Sequence, residues 1–400
     1  MRSFLEFSDL IKPTSQKAFF KDHYGKAPYL VKGDAELYAS LFNWNDFSNL
    51  LLMTNVWTGT TLKIVLDEEI IDPATYTRQT VGRDGTSVLR PNPGDVNKWM
   101  TKGASVVLDA AEHMHPGLRA ITEAISFATN CMVSCNIYCS FDGHQAFTSH
   151  YDTTDVFVLQ LDGAKKWRVY EGQFEEPIEA DGYYFSSFDK DHHDRAKGRT
   201  KMTPTLKPGN LLYLPKGRYH DACALKGPSL HATFATTQAR GVDFLQTIMN
   251  SMVEVPEFRA ALPNLDDAEA HTKHIYELAE RLKALLQQPE IAEQMREDQK
   301  RRAFVDISRY QLPTAAPINV YRVRHVDHNV SLGGGGYILN ANGKTVAIPA
   351  DTVDAVKWVL DRNAFLKHDL EENTPDLDAS SRRDLLSMML EIGLLDMLER

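Results

Sequence analysis

Two histidines and one aspartate carry the most specific chemistry open to this 400-residue chain. His150-Tyr151-Asp152 sets an imidazole and a carboxylate two residues apart, and His220 follows about seventy residues later. Two histidines and a carboxylate can hold iron(II) on one face and leave the opposite positions open for substrates. On an extended strand, residues two apart point the same way. His150 and Asp152 could therefore chelate one ion from neighbouring positions, with His220 arriving from a strand paired nearby. Such a pattern points to a metal-dependent oxygenase.

The tripeptide alone is not specific, because His-x-Asp recurs at His192-His193-Asp194 and His325-Val326-Asp327. The run Asp189 to Arg199 is charged and without apolar alternation, so its pair is expected on a solvated loop. Surface polarity explains the His325 pair equally well. His150 instead leads into Thr153-Thr154-Asp155-Val156-Phe157-Val158-Leu159-Gln160-Leu161, a β-branched and apolar run that reads as a strand. Asp162-Gly163 is a preferred two-residue hairpin turn, with Ala164 to Tyr170 as the returning strand. That turn would pair Gln160 with Lys165, and cross-strand partners share a face. Counting back by twos from Gln160 reaches Asp152 and His150, so Lys165 is expected on the side of the proposed ligands. A buried ammonium needs an anionic partner, which a dicarboxylate cosubstrate would supply; the plainer reading is an exposed lysine on a hairpin.

Around the third ligand, Lys207-Pro208-Gly209-Asn210 and Pro215-Lys216-Gly217 are turns bracketing the short strand Leu211 to Leu214, and Ser229 to Thr236 alternates as another strand. Short strands joined by tight turns fit a double-sheet jelly roll, the architecture of cupins. His231, a lone histidine in such a strand, reads as a core residue.

Taken in order, Asn136-Ile137-Tyr138, His150-Tyr151-Asp152, Asp155 to Trp167, Pro208 to His220 and Ser229 to Thr233 resemble the successive motifs of JmjC-type cupins, with the ribosomal-oxygenase-like subgroup nearest. The resemblance spans roughly residues 130 to 236, and an ordered set of motifs is far more specific than any one. It implies a double-stranded β-helix, iron(II) held by His150, Asp152 and His220, and 2-oxoglutarate and dioxygen as co-reactants. Lys165 would pair with the distal carboxylate of 2-oxoglutarate, Ser229 would hydrogen-bond near it, and Asn136 and Tyr138 would line the same pocket. Asn210 departs from the family's usual aspartate, and a turn role is expected there. The implied reaction is hydroxylation, and the same oxidation on an N-methyl carbon would release formaldehyde.

Composition bounds the rest. With 43% hydrophobic and 24% charged residues, the chain has the make-up of an ordinary globular protein. It has no apolar stretch of membrane-spanning length and does not open on a secretory signal, so a cytoplasmic location is expected. A net charge of −10 argues against general nucleic-acid affinity and is compatible with a basic polypeptide partner such as a ribosomal protein. Cys131, Cys135 and Cys139 share one strand face opposite Asn136 and Tyr138, and with no CxxC pair they read as packing thiols rather than a zinc site. His113-Met114-His115, beside Pro116, reads as a loop.

A mixed α and β chain of several domains follows: residues 1–240 as the cupin with its N-terminal elaboration, 241–312 as a helical segment and 313–400 as a C-terminal domain. Arg78, Arg83, Arg90 and Pro91 to Gly94 look loop-like, and the resemblance places segments here at the substrate entrance. Helical signals run over Val242 to Met252 and Asp266 to Arg302, with Ile275, Leu278, Leu282 and Leu285 in one apolar stripe; the resemblance implies that this segment makes a homodimer. In the last domain Asn342-Gly343 is a strong hairpin signal, helices are expected from Asp351 and Ala379, and the resemblance is to a winged-helix-like domain. Residues 371–400 hold eight acidic and three basic side chains, which makes nucleic-acid binding unfavourable. Gly333 to Gly336 lacks the lysine spacing of a phosphate loop and reads as a turn.

The favoured expectation is a 2-oxoglutarate- and iron(II)-dependent dioxygenase hydroxylating a protein or peptide side chain. The alternative is a metal-binding cupin acting on a small molecule or by non-oxidative chemistry. A non-catalytic interaction protein is disfavoured by the complete ligand set and Lys165.

Overall fold

The computed structural model describes residues 5–82, 85–141, 148–225, 227–304, 319–333 and 336–398. They group into two compact units, one within Met1–Thr129, Val133–Thr236 and Arg309–Arg400, the other within Asn130–Met132 and Thr237–Ser308. Among the described residues, no helix is long and apolar enough to cross a membrane.

The first unit begins with β1 (Tyr29–Lys32), β2 (Leu62–Leu66), β3 (Glu69–Ile70), β4 (Thr77–Val81), β5 (Ser87–Pro91) and β6 (Ser105–Leu108). It continues with β7 (Met132–Ser140), β8 (Asp155–Asp162), β9 (Lys165–Gln173), β10 (Thr200–Met202), β11 (Thr205–Leu206), β12 (Asn210–Leu214), β13 (Arg218–Ala224) and β14 (Ser229–Thr237). An eight-stranded sheet runs β1-β12-β8-β14-β7-β6-β2-β3, and a second sheet runs β10-β9-β11 with β13 also paired to β9.

Alternation decides what each face of the large sheet meets. Phe157 and Leu159 of β8, with Leu211 and Tyr213 of β12, join Phe7 and Phe19 from the N-terminal helices in the main core. Val156 and Val158, with Leu212 and Leu214, instead meet Trp167 and Val169 of the second sheet. With both faces covered, β8 is buried from Asp155 to Leu161, which is why its sequence reads as an almost continuous apolar run. Cys135 and Cys139 lie in the main core, and the four cysteines are free thiols. The helices over this core start at side-chain caps: Ser15 accepts from Ala18 N, and Asn43 and Asp46 form a reciprocal box at the start of Trp44–Leu52.

The expected β8–β9 hairpin does not form. β8 pairs with β12 and β14, whereas β9 pairs with β10, β11 and β13, so Gln160 lies opposite His231 and not opposite Lys165. Asp162-Gly163 is instead a corner that carries the chain from one sheet to the other. Gly163 takes φ +65°, and a Cβ there would lie 2.2 Å from the Pro228 carbonyl oxygen. A short-range turn signal reports the reversal of the chain but not whether the two strands share a sheet.

Two other expected loops are ordered elements. Lys190–Ala196 is a short helix capped by Asp189, and His193 is buried in it. Arg78 and Arg90 lie in a two-stranded ribbon, β4 with β5, and Asn92 caps the helix Pro93–Thr101 that follows; Arg83 falls outside the described residues. Proline at the helix's first position is pre-set for that geometry, a signal misread as a loop.

Later in this unit come β15 (Val320–Val323), β16 (His328–Gly333), β17 (Gly336–Ala341), β18 (Lys344–Ile348), β19 (Ala364–Leu366) and β20 (Leu395–Leu398). Asn342 and Gly343 both take positive φ in the β17–β18 hairpin, as a primed two-residue turn requires. β15 lies between β19 and β20, over a core with the helices Val353–Leu360 and Ala379–Glu391. Glu6 and Gln16 of the N-terminal helices hydrogen-bond to Asn363 of this segment. In the second unit, Ile248, Leu285 and Ile291 form a small core from the helices Gly241–Met252, Ala268–Leu286 and Pro289–Ala303.

Candidate metal centre

His150 and His220 are tied to each other through the main chain: each amide donates to the other's carbonyl, at 3.0 and 2.8 Å. This exchanged antiparallel pair holds their Cα atoms about 5.5 Å apart. The β9–β13 register shifts between Arg218 and His220, and a bulge at such a point re-aims the side chain beside it. His150, Asp152 and His220 each offer one ligand atom, and the three atoms lie within 4.8 Å of one another. His220 is buried whereas the other two are half-buried, so the group is open on one side.

Both imidazoles are oriented from behind. His150 Nδ1 donates to the Thr148 carbonyl at 2.8 Å, and His220 Nδ1 donates to the Arg218 carbonyl at 2.9 Å. A carbonyl only accepts, so each Nδ1 carries a proton, and in the neutral ring that leaves the lone pair on Nε2, as a metal-binding histidine requires. Burial, with His150 beside it, pushes His220 down to about 4, against the pull of Asp152, so it is neutral near pH 7. Its Nε2 faces Asp152 Oδ2 at 3.5 Å. Imidazole nitrogens and a carboxyl group converging in this way fit a divalent transition ion. Behind the pair, the buried Asp221 accepts from Ser149 Oγ, Tyr170 OH and Arg168 Nε at 2.6–2.7 Å. Burial raises its carboxyl, but these bonds outweigh it and hold the pKa below the ordinary range.

A cavity of about 120 Å³ opens beside the three groups. Its wall follows strand parity: Asn136 and Tyr138 from β7, Val156 and Val158 from β8, Lys165 and Trp167 from β9. Lys165 is 4% exposed, and its Nζ donates to Ser140 Oγ at 3.1 Å. Burial pulls its pKa down to about 8. Lys165 therefore does face this site, although β9 belongs to the opposite sheet and not to a hairpin with β8. Burial, and then the charge of Asp152, keeps the Tyr138 hydroxyl protonated.

Ser229 stands apart from the other expected pocket residues. It is fully buried and outside the cavity wall, where its Oγ accepts from Gln160 Nε2 at 2.9 Å. Asn210 has a turn role, its Oδ1 accepting from Lys207 N at 3.0 Å. In the second His-x-Asp, His192 stacks on Phe188 at 4.2 Å and Asp194 pairs with Lys190 and Lys197, while the intervening His193 donates through Nε2 to the Phe185 carbonyl and meets Tyr219 OH through Nδ1. His325 meets the Phe127 carbonyl. Three residues went unrecognised in sequence: Ser140, Trp167 and His231. Ser140 continues the parity of Asn136 and Tyr138, and His231 lies two positions beyond Ser229, so period two was the signal available for both.

The family model for the JmjC domain matches residues 111–244, a span that contains every residue of the centre just described. This segment is JmjC-like. The chain is 28% identical over 298 residues to the bifunctional lysine-specific demethylase and histidyl-hydroxylase NO66 of Drosophila persimilis, covering 69% of this chain and 41% of that protein. It is 28% identical over 268 residues to ribosomal oxygenase 1 of Danio rerio, covering 64% of this chain and 46% of the relative. The chain thus spans less than half the length of these two relatives. Among solved structures, that of YcfD, a ribosomal oxygenase from Escherichia coli, in complex with cobalt and 2-oxoglutarate is 17% identical, with 96% and 99% of the two chains covered and a TM-score of 0.48.

Proposed function

We propose that this protein is a 2-oxoglutarate- and iron(II)-dependent oxygenase that hydroxylates a side chain of a protein or peptide, with a ribosomal protein as the favoured substrate class. The observation that carries this reading is the convergence of two Nδ1-tethered histidines and an aspartate on one point, beside a small cavity that holds a buried lysine. The names of the JmjC relatives support the reaction type and the ribosomal substrate class.

His150, Asp152 and His220 would hold the ion, and Lys165 would pair with the distal carboxylate of the cosubstrate, with Asn136 and Tyr138 beside it. When bound, iron(II) with 2-oxoglutarate and dioxygen supplies the oxidation, in which the cosubstrate loses carbon dioxide to become succinate and one oxygen atom enters a C–H bond of the substrate. The chain's part is orientation and exclusion. The carbonyls of Thr148 and Arg218 fix both imidazoles, and the Ser140 hydroxyl steers the ammonium. At about 120 Å³ the cavity takes a small organic acid and not a polypeptide, so the substrate must approach from the exposed side of His150 and Asp152.

The helical segment is assigned to homodimer formation. In the stripe Ile275, Leu278, Leu282 and Leu285, Leu285 is buried whereas Ile275 is 63% exposed, and Tyr276 beside it is 69% exposed. Exposed apolar side chains of this kind on a helix are what a second helix covers. The domain limits 1–240, 241–312 and 313–400 and the winged-helix-like reading of the last domain belong to the same proposal, as does a cytoplasmic location. The acidic charge of residues 371–400 favours a protein contact over nucleic acid there.

The test is anaerobic binding of 2-oxoglutarate with iron(II), read in the weak visible metal-to-ligand charge-transfer band, for wild type, His150→Ala and Lys165→Ala. The expected result is a band that requires His150 and a 2-oxoglutarate affinity that drops in Lys165→Ala. Bound metal without a band would overturn the oxygenase reading in favour of a non-oxidative cupin.

A further inference from the structure

His231 of β14 stands in the cavity wall facing the same space as Lys165, yet it belongs to neither the metal-binding group nor the hydrogen-bonded core. It is 2% exposed. Its ring is stacked on Tyr138 at 4.7 Å and 9°, and meets Trp167 edge-on at 6.0 Å and 87°. Two aromatic walls therefore fix the plane of the imidazole before any ligand arrives. Its Nδ1 is buried without a hydrogen-bond partner, as is the indole nitrogen of Trp167. Buried polar atoms in native proteins are almost always satisfied, and an exception beside a cavity marks the place of a missing partner.

A histidine needed only for packing would be isosteric with an aromatic or aliphatic residue here, and its nitrogen would be a standing cost. We propose that His231 is a second recognition group for the distal carboxylate of the cosubstrate, donating a hydrogen bond beside Lys165. The inference rests on the 2-oxoglutarate reading above and adds a residue to it. Charge makes the pair workable. Burial, and then the positive charge of Lys165, keeps His231 unprotonated well below its ordinary range, so the pocket holds one cation rather than two. A neutral imidazole still has one N–H to donate, and a carboxylate that takes one bond from an ammonium has acceptor positions left for another. Lys165 would then set the charge of the ligand and His231 the position of its far end, which fixes how long a dicarboxylate can be.

The deciding experiment separates the ring from its N–H. Full-length protein loaded with manganese(II) is titrated with 2-oxoglutarate by calorimetry for wild type, His231→Phe and His231→Gln. Phenylalanine keeps the stack on Tyr138 and loses the donor; glutamine loses the stack and keeps a donor. The expected result is an affinity at least tenfold weaker for His231→Phe and within about threefold of wild type for His231→Gln, with manganese affinity and melting temperature of both close to wild type. Wild-type affinity in His231→Phe, or equal losses in both variants, would overturn the proposal and leave His231 as packing. Failure of the metal-loaded wild type to bind 2-oxoglutarate would remove the cosubstrate reading itself, and this inference with it.

Discussion

Lys165 is the residue on which, under the proposed function, ligand and proton would compete most directly. In the empty fold its pKa is about 8 against an ordinary 10.5, because burial disfavours the ammonium. Between those two values the unfolded chain binds more protons than the fold does, so the stability of the empty protein should rise with pH through that window and be lowest below about 8. An anionic ligand reverses the preference, since it binds the charged form. Its affinity should be highest below pH 8 and fall by up to tenfold per unit above it, as measured by calorimetric titration of 2-oxoglutarate from pH 7 to 9.5. Lys165→Met should abolish that dependence, weaken binding on the order of a hundredfold as expected for a buried charge pair worth roughly 2–5 kcal/mol, and leave the empty protein no less stable. A flat pH profile in wild type would mean that Lys165 does not contact the ligand.

At the scale of elements, the site depends on two strands reaching it from different sheets. The corner Asp162-Gly163 sends β9, and with it Lys165 and Trp167, to the opposite wall of the cavity from β8. Gly163 is required there twice over, by its φ of +65° and by the Pro228 carbonyl that a Cβ would strike. Left-handed backbone alone costs an L residue about 1–2 kcal/mol. With the clash added, Gly163→Ala should lose roughly 2–4 kcal/mol in urea denaturation and weaken 2-oxoglutarate binding by displacing Lys165. Gly85→Ala, at a left-handed position with open space around it, is the control, and it should show the backbone cost without the loss of binding. Equal effects in the two variants would argue that Gly163 is merely a turn residue.

For the whole molecule, the open question of assembly lies in the helical unit. Its internal core is small, with Ile248, Leu285 and Ile291 buried, while Val242, Met249, Ile275 and Tyr276 are each more than half exposed. A second copy that covered this face would stabilise the unit by roughly 25 cal/mol for each Å² of apolar surface removed from water. Ile275→Glu should therefore convert a dimer to a monomer in size-exclusion chromatography with light scattering, without changing 2-oxoglutarate affinity. A wild type that elutes as a monomer at micromolar concentration would refute the dimer assignment.

The grouping of His150, Asp152 and His220, the pocket strand Asn136-Ile137-Tyr138, the Asn342-Gly343 hairpin and the helices after Gly241 were legible in the sequence because each is written in local chemistry: residue type, period two, turn preference, period 3.6. The Lys165 reading reached the right side chain by the wrong route. Parity does say which way a strand residue points relative to its neighbours, but strand pairing is a matter of distant sequence, and only the fold put β8 and β9 into facing sheets. Ser229 and His231 diverge for a related reason. Both lie on one face of β14, yet Ser229 is buried against Gln160 whereas His231 reaches the cavity; strand parity selects a face and not where along it a cavity ends. The sequence by itself determined the types and spacing of the groups that the fold gathers around the cavity. The tertiary structure alone decided the tautomers of His150 and His220, through carbonyls that only the folded main chain brings within hydrogen-bonding distance, and the lowered pKa of Lys165, through burial that no linear pattern encodes.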